Sequence, residues 1–135
     1  MERAFTDPLG DWTRTCYCGE PRVNLVGREL TLMGWVQTRR DHGGLIFVDL
    51  RDRSGLTQVV FNPEVDAAAH EKAKQLRSED VIAVRGVLAP RPPETLNPDL
   101  ATGEVEIRGK ELKLLNASQV PPFTIDDETE ANENT

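Results

Sequence analysis

The sequence predicts an all-β domain with one helix. Short segments of alternating apolar and polar residues recur along the chain, separated by clusters rich in glycine, proline and aspartate. One segment, from Asn62 to about Arg77, instead has the apolar spacing of an amphipathic helix. The length of 135 residues suits one domain of ordinary size. No stretch approaches the roughly 20 apolar residues of a membrane-spanning helix, so we expect no membrane partner.

Five segments have the alternation of half-buried strands. Gly34 interrupts the first of them, which indicates a bend or bulge. The sequences DHGG (Asp41–Gly44) and RSG (Arg53–Gly55) predict the turns between the first three strands. The predicted strands cover residues 29–40, 45–52, 56–61, 80–88 and 104–116.

The helix is predicted between the third and fourth strands. Asn62 is expected at its N-cap and Pro63 at its first position, because these residue types favour those positions. Its apolar face is expected to consist of Val65, Ala68, Ala69, Ala73 and Leu76. After the fourth strand, residues 89–103 form a structureless loop with four prolines, and a loop of this length is usually functional or mobile.

Three strands, one helix and two strands, with a long bent first strand, are typical of the OB-fold. This fold is a five-stranded Greek-key barrel with its helix between strands 3 and 4, and it binds oligonucleotides across strands 2 and 3. We expect residues 1–28 to be an N-terminal extension, residues 29–117 the OB-fold domain and residues 118–135 an acidic linker.

The net charge of −7 argues against a general nucleic-acid-binding protein, which is usually basic. The charge is uneven, however: subtracting the five acidic residues of the final segment IDDETEANENT leaves −2. A nearly neutral body with a local pair of arginines can still bind a short nucleic-acid segment, with a shallow salt dependence.

Metal and catalytic chemistry have little support in the sequence. Cys16 and Cys18 cannot by themselves fill a four-ligand zinc site, and His42 and His70 lack metal-motif spacing to them. We expect reduced, structural thiols, no metal, no cofactor and no catalytic residues. The N-terminus lacks an apolar signal stretch, so the expected location is the cytoplasm.

Phe47 is the aromatic residue that points to a binding face. Its neighbours Ile46, Val48 and Leu50 share the apolar parity of their strand, so Phe47 is expected to face outward. If Phe61 is in the core, Gln58 lies on the same outer face as Phe47. Bases stack on such aromatics, a glutamine amide can pair with a base edge, and arginines contact phosphates or bases.

Two alternatives remain at this point. Phe47 can instead pack under a loop or a neighbouring domain, and Arg39 and Arg40 can form a solvated strand end. Three wider functions also stay open: a single-strand-binding module, a general single-stranded DNA-binding protein, and a protein-interaction domain that uses Trp35.

The segments YCGE, LTLMGWVQTRRDHGGLIFVDLRDRSG, QVVFNP and NPDLATGEVEI resemble the anticodon-binding domain of bacterial aspartyl-tRNA synthetases over roughly Thr15 to Phe123. The related asparaginyl and lysyl synthetases share the central part of this pattern. The resemblance implies tRNA(Asp) as the partner, and tRNA(Asn) as a further one. It also implies a homodimeric parent enzyme whose catalytic domain, absent here, uses ATP and Mg²⁺.

The resemblance further implies residue roles. Phe47 would stack on the central anticodon U, and Glu106 would read an anticodon base. The implied anticodon-binding residues are Arg40, Phe47, Gln58, Arg91, Asn97 and Glu106. His42 stands where some members have leucine, and the loop near Glu94 and Thr95 lacks a lysine that some members carry. This combination resembles enzymes that accept both the GUC and GUU anticodons.

Overall fold

The computed structural model describes residues 7–117. Residues 1–6 of the expected N-terminal extension and the whole expected linker, residues 118–135, lie outside the described part. The five strands are β1 (Glu29–His42), β2 (Leu45–Asp52), β3 (Gly55–Phe61), β4 (Val81–Pro90) and β5 (Val105–Asn116). The helix is α1 (Ala67–Ala73), and single 3-10 turns lie at Val23–Leu25 and Pro93–Thr95.

The strands close into a barrel in the order β1-β2-β3-β5-β4, with β4 pairing back to β1. β3 and β5 are parallel over Gln58–Val60, and the other strand pairs are antiparallel. α1 lies between β3 and β4 along the chain. The predicted fold, a five-stranded OB-fold barrel with one helix, is therefore confirmed.

The barrel core is built from the parity that the sequence predicts. In β2, Ile46, Val48 and Leu50 are 0–2% exposed, while the residues of opposite parity are half-buried. Phe61, the largest fully buried side chain, lies in the same core. Burial of these apolar side chains is the main contribution to the stability of the fold, because both partners of each core contact lose apolar surface exposed to water.

β1 bends where it changes partners. It pairs with β4 as far as Trp35 and with β2 from Trp35 onward. Gly34 allows the close approach, since a Cβ built there would lie 2.3 Å from the carbonyl oxygen of Arg51. The pairing irregularity itself falls between Val36 and Thr38, slightly after the glycine.

The first predicted turn is shorter in the structure. β1 continues through Asp41 and His42, and only Gly43 and Gly44 form the loop before Leu45. Both glycines have positive φ, 60° and 85°, as a two-residue hairpin turn of type I′ requires.

The predicted start of the helix is wrong. Asp66, not Asn62, is the N-cap, and its Oδ1 accepts a hydrogen bond from the Ala69 amide at 2.9 Å. The Asn62 side chain instead accepts from the Glu64 amide at 2.8 Å, which closes a separate turn after β3. Both residue types cap well, so propensity could not choose between them.

The helix is also shorter than predicted, because it ends at Ala73 and the chain continues in tighter turns toward Arg77. Its buried residues are Ala69 and Ala73, joined by Leu76 beyond its end. Val65, 50% exposed, and Ala68 do not belong to the buried face.

The described part of the N-terminal extension packs against the barrel. Cys18 is fully buried, its amide donates to Asp52 Oδ2 at 2.9 Å, and its carbonyl oxygen accepts from the Thr57 hydroxyl. Asp52 also accepts two bonds from Ser54 through Oδ1. Burial raises the pKa of Asp52, but these hydrogen bonds outweigh it and leave that pKa lowered. Among the described residues, no helix is long and apolar enough to cross a membrane.

Candidate nucleic-acid interface

Strand pairing places two rows of side chains across the outer face of the barrel. Directly paired residues on neighbouring strands project to the same side of a sheet. The first row is Arg40, Phe47, Val60 and Arg108, and the second is Thr38, Asp49, Gln58 and Glu106. The structure therefore brings together four residues that the sequence selected: Arg40, Phe47, Gln58 and Glu106.

Phe47 lies in the middle of the first row. It is half-buried, flanked by Arg40 on β1 and by Val60 on β3. The guanidinium carbon of Arg40 is 5.9 Å from the centroid of the Phe47 ring, within the range of a cation–π contact. The ring is thus held in place and keeps part of its surface open for stacking.

A chain of hydrogen bonds links the second row to Arg40. Arg40 Nη2 donates to Gln58 Oε1 at 3.2 Å, and Gln58 Nε2 donates to Glu106 Oε1 at 3.0 Å. Gln58 and Glu106 are only 4% and 5% exposed. Gln58 is thus on the outer face, as predicted, but its neighbours nearly cover it.

The environment of Glu106 favours its neutral form. Burial raises the pKa of the Glu106 carboxyl, and the hydrogen bond from Gln58 and the charges of Arg108 and Arg91 only partly oppose this. A carboxylate accepts hydrogen bonds, whereas the protonated acid also donates one. Its raised pKa makes Glu106 a candidate for a change of hydrogen-bonding character with pH on this face.

Arg91 lies under the loop after β4. It is 8% exposed, and its guanidinium donates from Nε to Val105 O at 3.0 Å and from Nη1 to Thr95 O at 2.9 Å. Burial lowers the pKa of Arg91, and the charges of Glu106 and Asp49 oppose that shift. In this structure Arg91 joins the loop to β5.

The expectation of a structureless loop is wrong. A 3-10 turn covers Pro93–Thr95, and the Thr102 hydroxyl donates to the Leu56 carbonyl oxygen. Asn97 Oδ1 accepts from the Asp99 amide at 3.0 Å, and the Asn97 amide donates to Gly103 O at 3.1 Å. Backbone pairing inside the loop, invisible in a proline-rich composition, gives it this order.

The three residues predicted to discriminate between tRNAs are not all joined by hydrogen bonds. His42 is exposed at the end of β1, on the same side as Arg40. Glu94 is exposed, and Thr95 Oγ1 donates to Pro92 O at 3.0 Å. Within residues 7–117, His42 forms no hydrogen bond with Glu94 or Thr95.

The sequence pattern put Asp49 on the outer face with Phe47, but it did not predict Asp49, Thr38 or Arg108 as binding residues. Asp49 Oδ2 accepts from Arg40 Nη1 at 2.8 Å and from the Thr38 hydroxyl. Arg108 is exposed at the end of the first row. Strand parity could have found all three, since Thr38 shares the parity of Arg40, Asp49 that of Phe47 and Arg108 that of Glu106. Among the described residues, no group of three or more metal-binding side chains is present.

OB-folds bind oligonucleotides across strands 2 and 3, and this face includes both strands. A family comparison agrees with the fold. The tRNA anti-codon family, described as an OB-fold nucleic acid binding domain, matches residues 30–115. The chain belongs to this family.

Curated relatives of this anticodon-binding domain are aspartate–tRNA(Asp/Asn) ligases. The chain is 61% identical over 130 residues to that of Oleidesulfovibrio alaskensis and 57% identical over 130 residues to that of Nitratidesulfovibrio vulgaris. Each match covers 96% of this chain but only 22% and 21% of those proteins. The anticodon-binding domain thus spans about a fifth of the length of these relatives.

A solved structure gives the same picture. The asparaginyl-tRNA synthetase of Pyrococcus horikoshii is 30% identical, with a TM-score of 0.63. The match covers 76% of this chain and 23% of that one. The domain is thus similar to aspartate–tRNA(Asp/Asn) ligases in sequence, and related asparaginyl synthetases share its fold.

Proposed function

We propose that this chain reads the anticodon of tRNA(Asp) as part of an aspartate–tRNA ligase. The observation that carries the proposal is the outer-face row in which Phe47 lies beside Arg40, next to the hydrogen-bonded Gln58 and Glu106. The relatives' identity of up to 61% supports the ligase assignment. In the proposed domain organisation, residues 29–117 are the anticodon-binding domain and residues 1–28 are an N-terminal extension of it. Residues 118–135 are a linker toward a catalytic domain.

We assign each residue a role that its side-chain chemistry allows. The open surface of Phe47 stacks on the central anticodon base, and the Gln58–Glu106 pair meets base edges with an amide and a carboxyl group. Arg40 adds positive charge beside the stacked base. Arg91 and Asn97 act from the loop after β4, Arg91 by holding that loop against β5.

The whole ligase would attach aspartate to tRNA in the cytoplasm, where translation takes place. Its catalytic domain would use ATP and Mg²⁺, and the enzyme would act as a homodimer. No residue of this chain is assigned to either cofactor. The anticodon domain contributes specificity by selecting which tRNA reaches that catalytic centre.

The proposed range of tRNAs includes tRNA(Asn) as well as tRNA(Asp). The relatives' name specifies both tRNAs, and His42 lies exposed on the Arg40 side of β1. We propose that His42, together with a loop that lacks lysine near Glu94 and Thr95, tolerates either C or U as the third anticodon letter.

The test is a fluorescence titration of the chain with three RNA hairpins whose loops carry GUC, GUU or GAC. We expect GUC and GUU to bind with similar affinity and GAC to bind more weakly, because only GAC changes the stacked central base. Binding of GUC alone would contradict the dual range. His42→Leu tests the role of His42, and an unchanged ratio of GUC to GUU affinities in this variant would rule that role out. Equal binding of all three RNAs and of oligo(dT) would instead support a general single-strand-binding protein.

A further inference from the structure

Asp49 is a carboxylate in the middle of a face proposed to bind RNA. It lies in the second row between Thr38 and Gln58, two residues after Phe47 on β2. Its side chain is 16% exposed. A negative charge here opposes phosphate binding, so its position calls for a role inside the protein rather than toward the backbone of the RNA.

The contacts of Asp49 show what that role is. Its Oδ2 accepts from Arg40 Nη1 at 2.8 Å and from the Thr38 hydroxyl, while the Thr38 oxygen accepts from the same Nη1 at 3.1 Å. These three side chains form a closed triangle. One side of the Arg40 guanidinium is thereby fixed, although half of the Arg40 side chain is exposed.

Fixing Arg40 Nη1 also places its other amino group. The guanidinium is planar, so once Nη1 lies against Asp49, Nη2 lies toward Gln58, where it donates to Oε1 at 3.2 Å. Gln58 then presents Nε2 to Glu106. The contact of Asp49 with Arg40 therefore determines the positions of Gln58 and Glu106 beside Phe47.

We propose that Asp49 is a positioning residue for anticodon recognition, which sets the Arg40–Gln58–Glu106 chain by holding Arg40 against Thr38. This inference rests on the proposed function. It makes an unusual prediction, because removal of a negative charge from an RNA-binding face should weaken binding rather than strengthen it.

The experiment compares Asp49→Asn with Asp41→Asn. Both variants remove one negative charge from the β1–β2 hairpin, but Asp41 pairs with Arg39 at 2.7 Å and not with Arg40. The readouts are the affinity for the GUC hairpin and the ratio of GUC to GAC affinities. We expect Asp49→Asn to lose about tenfold in GUC affinity and most of the ratio, since a charge-assisted hydrogen bond is lost. Asp41→Asn should keep the parent's ratio.

Asp49→Glu separates position from charge. It keeps the charge but moves the carboxylate by one methylene, so we expect the affinity ratio to fall again. Parental behaviour of Asp49→Glu, or tighter binding by both aspartate-to-asparagine variants, would overturn the proposal. If Asp49→Asn does not fold, Thr38→Val removes two of the three hydrogen bonds of the triangle at an exposed position and leaves only the bond between Arg40 and Asp49. It should lower the ratio about threefold. A parental ratio for Thr38→Val would then be contrary to the proposal.

Failure of the proposed function would look different. In that case the parent chain would show no preference for GUC over GAC. The nitrogen NMR signals of the Arg40 guanidinium still test Asp49, because a held guanidinium rotates slowly about its Nε–Cζ bond. Slow rotation in the parent and in Asp41→Asn, with fast rotation in Asp49→Asn, is the expected result. Fast rotation in all three would refute the positioning role.

Discussion

Phe47 is the central side chain of the proposed anticodon-binding site. Its ring is fixed between Arg40 and Val60 but is not covered, so stacking a base on it requires no rearrangement of the barrel. A preordered aromatic loses little side-chain entropy on binding. Recognition at this position should therefore depend on the ring and hardly on the stability of the fold.

We expect Phe47→Ala to weaken binding of the GUC hairpin by about 1–3 kcal/mol, the usual contribution of one base–aromatic stack. Thermal unfolding should change little. Trp35→Ala is the matched control, because Trp35 is also an exposed aromatic on a strand but lies outside the two rows. Equal affinities for the parent and Phe47→Ala would rule out stacking.

Glu106 has a proposed role in anticodon binding and also affects the stability of the fold. Since burial holds its pKa above the ordinary value, the folded state binds a proton more readily than the unfolded state. The contribution of Glu106 to stability is therefore greatest below the unfolded-state pKa and declines as pH rises through the folded-state pKa.

We expect Glu106→Gln to raise the thermal midpoint at pH 7, and this gain to vanish at about pH 4, where glutamate itself becomes protonated. The amide oxygen of the new side chain can still accept from Gln58. Anticodon affinity should fall in the same variant. Glu111→Gln, an exposed acid on the same strand, should show neither effect. A midpoint difference independent of pH would contradict the assignment of the effect to Glu106 titration.

At the scale of elements, the helix illustrates a choice between two equally good caps. Asn62 and Asp66 both precede the helical segment, but only Asp66 reaches the amide of the third helical residue, Ala69. Asn62 directly follows the end of β3, and the chain must turn from the barrel before a helix can begin. The position of the barrel strand therefore decides which residue is the cap.

Asp66→Ala should lower the free energy of unfolding by about 1 kcal/mol, the usual cost of losing a helix N-cap. Asn62→Ala should cost less, because it removes a turn bond and leaves the helix end satisfied. Urea unfolding of both variants provides the comparison. A larger loss for Asn62→Ala would favour the start that the sequence pattern suggested.

At the scale of the whole molecule, the distribution of charge is compatible with the small RNA site that we propose. The chain carries a net charge of −7, yet Arg40 and Arg108 lie at the two ends of the first row. Within residues 7–117, the Arg108 side chain forms no hydrogen bond or ion pair with another residue. Few phosphates can be neutralised by such a face, so the salt dependence of binding should be shallow.

We expect Arg108→Gln to weaken binding of GUC and GAC hairpins equally and to reduce the slope of log affinity against log salt by about 0.7, the value for one single-strand phosphate contact. Lys110→Gln is the control, since Lys110 pairs with Glu29 at 3.8 Å. A change in base preference with an unaltered slope would show that Arg108 contacts a base instead.

The sequence by itself determined the order of strands and helix along the chain, the buried parity of β2 and the outward position of Phe47. These follow from local rules, because alternation in a strand assigns each side chain to one face whatever the strand pairs with. The OB-fold followed from element order. The family resemblance came from the central motif that contains LIFVDLRD together with the segments YCGE and NPDLATGEVEI.

Only the tertiary structure decided which side chains from different strands meet. Pairing of β3 with β5 brings Gln58 to Glu106 across 48 positions of sequence, and pairing of β1 with β2 brings Arg40 to Asp49. The order within the loop of Arg91 and the choice of Asp66 as cap likewise depend on contacts made after the barrel closes. Local patterns fix the direction in which a side chain projects, but the partner it finds depends on strand register, which no single segment encodes.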